Sequence, residues 1–261
     1  MNTRRVCFPL MGSYPVAEKV LGHLIGDEVI MPPPITKRTL EIGAKYSPEA
    51  VCVPFKYMLG NFIEAIEDGA NTLVQVGGGC RLACYAELQR AILRNLGYEV
   101  DFVTVGNGNG IGQIIRFIKK TYPKLSYLHI CYEIYRAYEK ARAIDEIEDF
   151  VRKNIGFETN LGAFERLHRH FLIDLDRAQT IRTIREVNRD YSTNFRLLDV
   201  QKPEKPLRVG FVGEFFVVLE PFSNFFIEKQ LALYGVEMHR PLTVTSTVRN
   251  ITFHDRYLRQ Q

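Results

Sequence analysis

Tryptophan is absent from the 261 residues, and cysteine and methionine occur only five times each. The aromatic content is instead 17 Phe and 13 Tyr, an ordinary core resource that gives no stacking-platform signature for single-stranded nucleic acid. No run approaches the roughly 18 apolar residues of a membrane span. The opening MNTRRVCFPLMGSYP has neither the long apolar core nor the small-residue cleavage site of a secretory signal, so a cytoplasmic protein is expected. Excess charge of one sign is lacking too. Thirty-four basic residues face 30 acidic ones, for a net +4, and they are interspersed along the chain rather than clustered as in a nucleic-acid or membrane-surface protein. An odd number of cysteines rules out a complete disulfide framework and leaves thiols free for metal or redox work in a reducing compartment.

Several catalytic signatures are also missing. There is no G-x-S-x-G nucleophile elbow. The run GNGNGIG at 106–112 follows a strand pattern, but no register of it reads G-x-G-x-x-G, since Ile111 and Gln113 stand where the third glycine would be needed. Gly77-Gly78-Gly79 lacks the Gly-Lys-Ser/Thr ending of a phosphate loop. Of the six histidines only His168 and His170 lie close in sequence, and two apart on a helix they point to different faces.

What is present is a repeated strand, loop and helix pattern. The expected strands are RRVCFPL at 4–10, EVIM at 28–31, AVCV at 50–53, Thr72–Val76, EVDFVTV at 99–105, LRVGFVG at 207–213 and VEMHR at 236–240. The expected helices include 16–26, 36–45, one entered at Pro54 and ended at Gly69, one from Leu82 to Gly97, and 221–234. Residues 111–190 read as helix only, with Leu161 to Val187 stepping by three or four through one long amphipathic helix. The reading is α/β: two Rossmann-like lobes with parallel sheets, bridged by a helical region. Its parts are 1–110, 111–200 and 201–261, with QKPEKP at 201–206 as linker. Functional residues are expected in the loops at the strands' carboxyl ends.

The cysteines carry the chemistry that remains. Cys52 and Cys80 each precede an expected helix N-terminus, where the aligned peptide dipoles favour a thiolate, the form that binds metal or attacks substrate. Cys84 follows Cys80 by one helical turn and would share its face. Cys131 lies in the helical region, and Cys7, in an apolar strand, reads as a small core residue. The spacing 52, 80, 84, 131 matches no standard zinc or ferredoxin run.

The segment CVPFKYMLGNFIEAIEDGANTLVQVGGGCRLACYAELQRAILRNLGYEVDFV resembles the 2-hydroxyacyl-CoA dehydratase and benzoyl-CoA reductase family. It is similar in particular to stand-alone or activase-fused proteins related to the dehydratase D-component. Its motifs are Cys-x-Pro-x-Lys-x-x-x-Gly and Gly-Cys-Arg before a Tyr-x-x-Leu-Gln helix. VCFPLMGSY, the proline loop before Thr36 and VGFVGEFFVVLEPFSNFFIEKQLALYGVEM are similar to family segments in the same order. The resemblance implies a 4Fe-4S cluster held by loop cysteines between two lobes, with low-potential electrons received from an ATP-dependent activase component. It implies a one-electron dehydration or reduction of an acyl thioester, the work of a lyase or oxidoreductase component acting beside a sister subunit or as a homo-oligomer. Carried over, Cys52 and Cys80 are ligands, and the third is Cys131 or Cys84, with Cys131 ranked ahead. Arg81 and Lys56 would offset the cluster's negative charge, and Glu214 and Asn224 match a Gly-Glu…Pro-Phe-x-Asn stretch facing the cleft. A non-catalytic accessory or scaffold subunit, and a nucleotide-binding Rossmann enzyme, are the alternatives.

Overall fold

A computed structural model describes residues 3–26, 28–77, 82–107 and 111–250. In chain order the elements are β1 (Arg5–Cys7), α1 (Pro15–Ile25), β2 (Glu28–Val29), α2 (Lys37–Tyr46), α3 (Val53–Glu67), β3 (Thr72–Gly77), α4 (Leu82–Asn95), β4 (Asp101–Asn107), α5 (Ile111–Thr121), α6 (Tyr127–Asn154), α7 (Ala163–Arg177), α8 (Ile181–Arg196), β5 (Leu207–Gly210), α9 (Phe215–Leu219), α10 (Ile227–Ala232) and β6 (Val236–His239). The chain is mixed α/β and 59% helical, well above the usual third, because the stretch between β4 and β5 contributes helices alone. It divides into two compact units, one of residues 1–11, 18–135 and 248–261 and the other of residues 12–17 and 136–247.

The first unit is built on a four-stranded parallel sheet in the order β2-β1-β3-β4. Neighbouring residues on a strand face opposite sides, and the two cores divide accordingly. Cys7 and Leu73 pack with Phe55, Leu59 and Phe62 of α3 and Tyr85 and Leu93 of α4. Val6 and Val74 pack with Leu24 and Ile25 of α1, Ile118 of α5 and Ile130 of α6. The sheet is thus covered on both faces. After β1 the chain turns to β2 on one side, and after β3 to β4 on the other, so the strand order reverses between β1 and β3. In open α/β sheets that reversal, at the carboxyl ends of the strands, is where ligands bind.

The position of α3 over this sheet is set by a glycine crossing. A β-carbon at Gly43 of α2 would lie 1.7 Å from the Lys56 carbonyl oxygen, and one at Gly60 of α3 would lie 1.9 Å from that of Thr39. Two backbones in contact leave no room for any side chain there. Gly60 is the final residue of the Cys-x-Pro-x-Lys-x-x-x-Gly motif, so the motif's glycine has a packing reason. Around the crossing, Thr36 caps α2 with Thr39 in a reciprocal capping box, and the Thr39 hydroxyl donates to Glu64 Oε2 at 2.6 Å. Buried Asn61 then ties α3 to two loops: its Oδ1 accepts from the Leu10 amide and its Nδ2 donates to the Pro33 carbonyl, both at 2.8 Å.

The second unit packs α7 and α8 around Phe164, Phe171, Leu175, Ile184 and Phe195 and also contains a parallel pair formed by β5 and β6. The structure corrects three expectations. Residues 50–53 are not a strand. Pro48 opens a turn, the Val51 amide donates to the Pro48 carbonyl, and α3 begins at Val53, which leaves no length for extended backbone. The stripe from Leu161 to Val187 is two helices, because Thr180 and Thr183 form a capping box that starts α8 afresh. The segment 221–234 is not one helix. Asn224 Oδ1 accepts from the Ile227 amide, and Phe225 and Phe226 take left-handed backbone angles (φ 59° and 55°), so that only Ile227–Ala232 is helical.

Gly43→Ala or Gly60→Ala is expected to lower the unfolding free energy by about 2 kcal/mol or more, since overpacking against backbone outweighs the ~1 kcal/mol gain in helix propensity. Urea denaturation followed by circular dichroism checks this, and unchanged stability would mean that α2 and α3 separate without cost.

Candidate functional site

Cys52 is the N-cap of α3, with extended backbone angles and no capping bond from its own side chain. Its sulfur turns instead to the hydroxyl of Tyr85, 3.0 Å away. Tyr85 lies in the first turns of α4, directly after Cys84. Its ring is 9% exposed and meets Phe55 edge-on, with centroids 4.9 Å apart and planes at 88°. The N-terminal turns of α3 and of α4, the helix that follows β3, thus come together at an exposed thiol. Cys84 is exposed as well.

A polar layer lies on the same face of the sheet. Gln75 of β3 and Thr104 of β4 are registered neighbours, and Gln89 follows Tyr85 by one turn on α4. Gln75 is 2% exposed and Gln89 0%, yet Gln75 Oε1, both amide atoms of Gln89 and Thr104 Oγ1 have no hydrogen-bond partner. Buried polar groups are almost always satisfied, and an unpaired one costs about 1–3 kcal/mol. This layer is a place for ordered water or for a polar ligand group. On α1, Glu18 has its Oε2 enclosed and unpartnered, and burial pushes its carboxyl up to about 8. Burial likewise pushes the Cys7 thiol up to about 12, with the charges of Glu18 and Asp68 adding to the effect, which agrees with Cys7 as a core residue.

The other expected site residues are placed as follows. Cys80 and Arg81 lie outside the described residues. Cys131 is exposed on the second turn of α6. Lys56 is half-buried on α3, one turn beyond Cys52. Among the described residues no three His, Cys, Asp or Glu side chains stand close enough to hold one metal ion, so Cys52, Cys84 and Cys131 do not by themselves assemble a ligand set. In donor chemistry the fit is better. Iron-sulfur clusters take soft thiolates, and Cys52 and Cys84 are exposed, unbridged thiols near the starts of α3 and α4. Glu214 caps α9, its carboxylate accepting from the Val217 amide at 2.9 Å. Asn224 Nδ2 donates to the Val217 carbonyl at 3.0 Å. Both side chains have local structural roles in the second unit.

Sequence reasoning passed over Tyr85, although it opens the Tyr-x-x-Leu-Gln run. In the sequence it marks a helix, and only the packing of α4 on α3 brings it to Cys52. The buried polar cluster of the second unit was not foreseen either. Ser13 Oγ donates to Glu148 Oε1 at 2.6 Å, and His168 Nε2 lies 3.4 Å from the same oxygen. The serine and the histidine both address the acid and not each other, so this is no hydrolase relay, which needs the histidine between them. Arg240 and Arg152, each 4% exposed at the side chain, reach Glu148 Oε2 at 3.2 and 3.5 Å. Burial works against ionisation of Glu148, but the His168 contact and the two guanidinium charges outweigh it and hold the carboxyl down at about 2.

No protein-family model matches the chain, and no curated protein matches it. Among the described residues, no helix is long and apolar enough to cross a membrane.

Two outcomes follow from these groups. Gln89→Met is expected to raise the unfolding free energy by about 1 kcal/mol, because it removes an amide buried without partners; a loss of stability in urea melts would instead mark water-satisfied hydrogen bonds. Glu148 has a folded pKa below its unfolded value, so its stabilisation is present above pH ~4.5 and is lost as pH falls towards 2. Glu148→Gln should flatten the thermal midpoint over that range and cost about 3 kcal/mol at neutral pH, by leaving two buried guanidinium groups short of a charge. A variant with the wild-type acid profile would contradict this.

Proposed function

We propose that this chain is an iron-sulfur protein resembling the 2-hydroxyacyl-CoA dehydratase and benzoyl-CoA reductase family, in which two Rossmann-like lobes serve low-potential electron transfer to an acyl thioester or similarly difficult acceptor. The observation that carries the reading is the contact of Cys52 Sγ with the Tyr85 hydroxyl, 3.0 Å apart, in the helix that follows Cys80 in sequence. The carboxyl end of β3 lies at the reversal of strand order, where a ligand site is expected in an open parallel sheet. The parallel β5 and β6 would belong to the second lobe.

Cys52 and Cys80 would hold a 4Fe-4S cluster, with Cys131 or Cys84 as third ligand. Such a group supplies one-electron transfer at low potential when bound. The chain's own part is structural and electrostatic. α3 holds Cys52 at its N-cap and α4 carries Cys84 in its first turn, and negative charge is favoured at helix N-termini. Lys56 and Arg81 add positive charge, and Tyr85 with the Gln75, Gln89 and Thr104 layer offers hydrogen bonds. ATP hydrolysis would belong to a separate activase component, since this sequence has no phosphate-loop signature.

The alternative, an accessory or scaffold subunit, draws on exposed apolar side chains: Leu128 and Tyr132 on α6, and Leu207 and Val212 at and beyond β5. Such surfaces mark interfaces when they are contiguous.

Iron and acid-labile sulfide on anaerobically purified protein, with EPR after dithionite reduction, separate the two readings. About four irons per chain are expected in the wild type, with loss of the signal in Cys52→Ala, in Cys80→Ala and in one of Cys84→Ala and Cys131→Ala. No iron after anaerobic reconstitution of a folded protein would overturn the redox reading.

A further inference from the structure

We infer that Tyr85 is a positioning residue for Cys52, whose hydroxyl donates to the sulfur and thereby makes the site easier to reduce. This deepens the iron-sulfur reading and rests on it. The sulfur and the phenolic oxygen are 3.0 Å apart, and as N-cap Cys52 makes no side-chain bond to its own helix, so its sulfur is available to a partner outside α3. Tyr85 is that partner and is held firmly. Its ring stands edge-on to fully buried Phe55 within the core shared by α3, α4 and the sheet. A side chain packed in this way does not follow the sulfur; it sets where the sulfur rests.

The electrostatic consequence is directional. A thiolate bound to metal carries negative charge, which grows when an electron is added. A hydroxyl donor stabilises the more negative state, and hydrogen bonds to cluster sulfurs are a recognised control of potential. Bonds to charged acceptors are about twice as strong as neutral ones. Lys56, one turn along α3 from Cys52, acts in the same sense through its charge, but it is half exposed and screened by water. Tyr85 is not. Its placement directly after Cys84, with the unpartnered Gln89 amide one turn further on, puts the polar groups of α4 on one stripe.

Tyr85→Phe keeps the ring and its packing on Phe55 and removes only the donor. Wild type and variant are reconstituted anaerobically with ferrous iron and sulfide. Iron per chain, the thermal midpoint and the potential from an EPR-monitored redox titration are then measured. Equal iron and equal melting are expected, with reduction about tenfold less favourable in the variant. For one electron that is a midpoint about 59 mV more negative, together with altered g-values. Loss of iron from a variant that melts like the wild type supports the positioning role as well. Phe55→Leu is the packing control, because it loosens the ring and keeps the hydroxyl; a potential that moves there as far as in Tyr85→Phe overturns the role of the hydroxyl. Unchanged potential and spectrum at equal iron overturn the inference and leave the iron-sulfur reading standing. Absence of iron from both proteins overturns the two together.

Discussion

The contact of α2 with α3 at Gly43 and Gly60 governs the geometry of the first unit. With no side chain on either helix at the crossing, backbone meets backbone, and the angle and height of α3 over the sheet are settled by sterics that a single methyl group would disturb. Asn61, next to Gly60, then joins α3 to the loops after β1 and β2. The far end of the same rigid helix carries Cys52. A thiol at a helix N-terminus is placed as well as its helix is placed, and here the placement comes from the crossing, from the Thr39 bond to Glu64, and from Phe55, Leu59 and Phe62 in the core.

Around that frame the unit shows a gradient from apolar to polar along the strands. Leu73 and Phe102 lie in the dry core shared with α3 and α4, whereas Gln75 and Thr104, two residues further along the same strands and on the same face, carry unpartnered polar atoms. An apolar residue at each of these places would give a more stable protein. Polar groups retained at the carboxyl ends of parallel strands are those that a bound ligand or ordered water would satisfy. This is the same end from which the segment holding Cys80 departs, and it is the physical basis for placing the proposed chemistry there.

The second unit solves a different problem. Glu148, Arg152, Glu228 and Arg240 form a largely buried set of charges, with Ser13 and His168 also against Glu148. Taking charges out of water is costly, and such a set persists when each member has an opposite charge or a hydrogen bond within reach. Removing one member therefore does more harm than the net worth of any single pair. Residues 12–17, which join β1 to the body of α1, belong to this unit, and Tyr14 reaches Asp145 there at 2.5 Å.

Much of the local structure was legible in the sequence, because periodicity, prolines and glycines act over a few residues. Strand alternation located β1, β3, β4, β5 and β6, and Gly69 and Gly97 ended α3 and α4 in the left-handed conformation that glycine tolerates. Cys7 read as core and is core. The failures were also local contests, in which a turn or a helix start overrode an apolar pattern. Pro48 and the Cys52 N-cap displaced a strand at 50–53, Thr180 divided one stripe into α7 and α8, and Asn224 with two left-handed phenylalanines cut short the helix expected over 221–234. The partnership of Cys52 with Tyr85, 33 residues apart, had no sequence signal of its own, nor did the backbone contact of Gly43 with Lys56 or the gathering of charges around Glu148. Composition and spacing determined which groups this chain has to offer and which segments carry them. Which groups meet was decided by the tertiary structure, because contact between distant residues depends on how whole helices pack, and packing is set by volumes and close approaches summed over many residues.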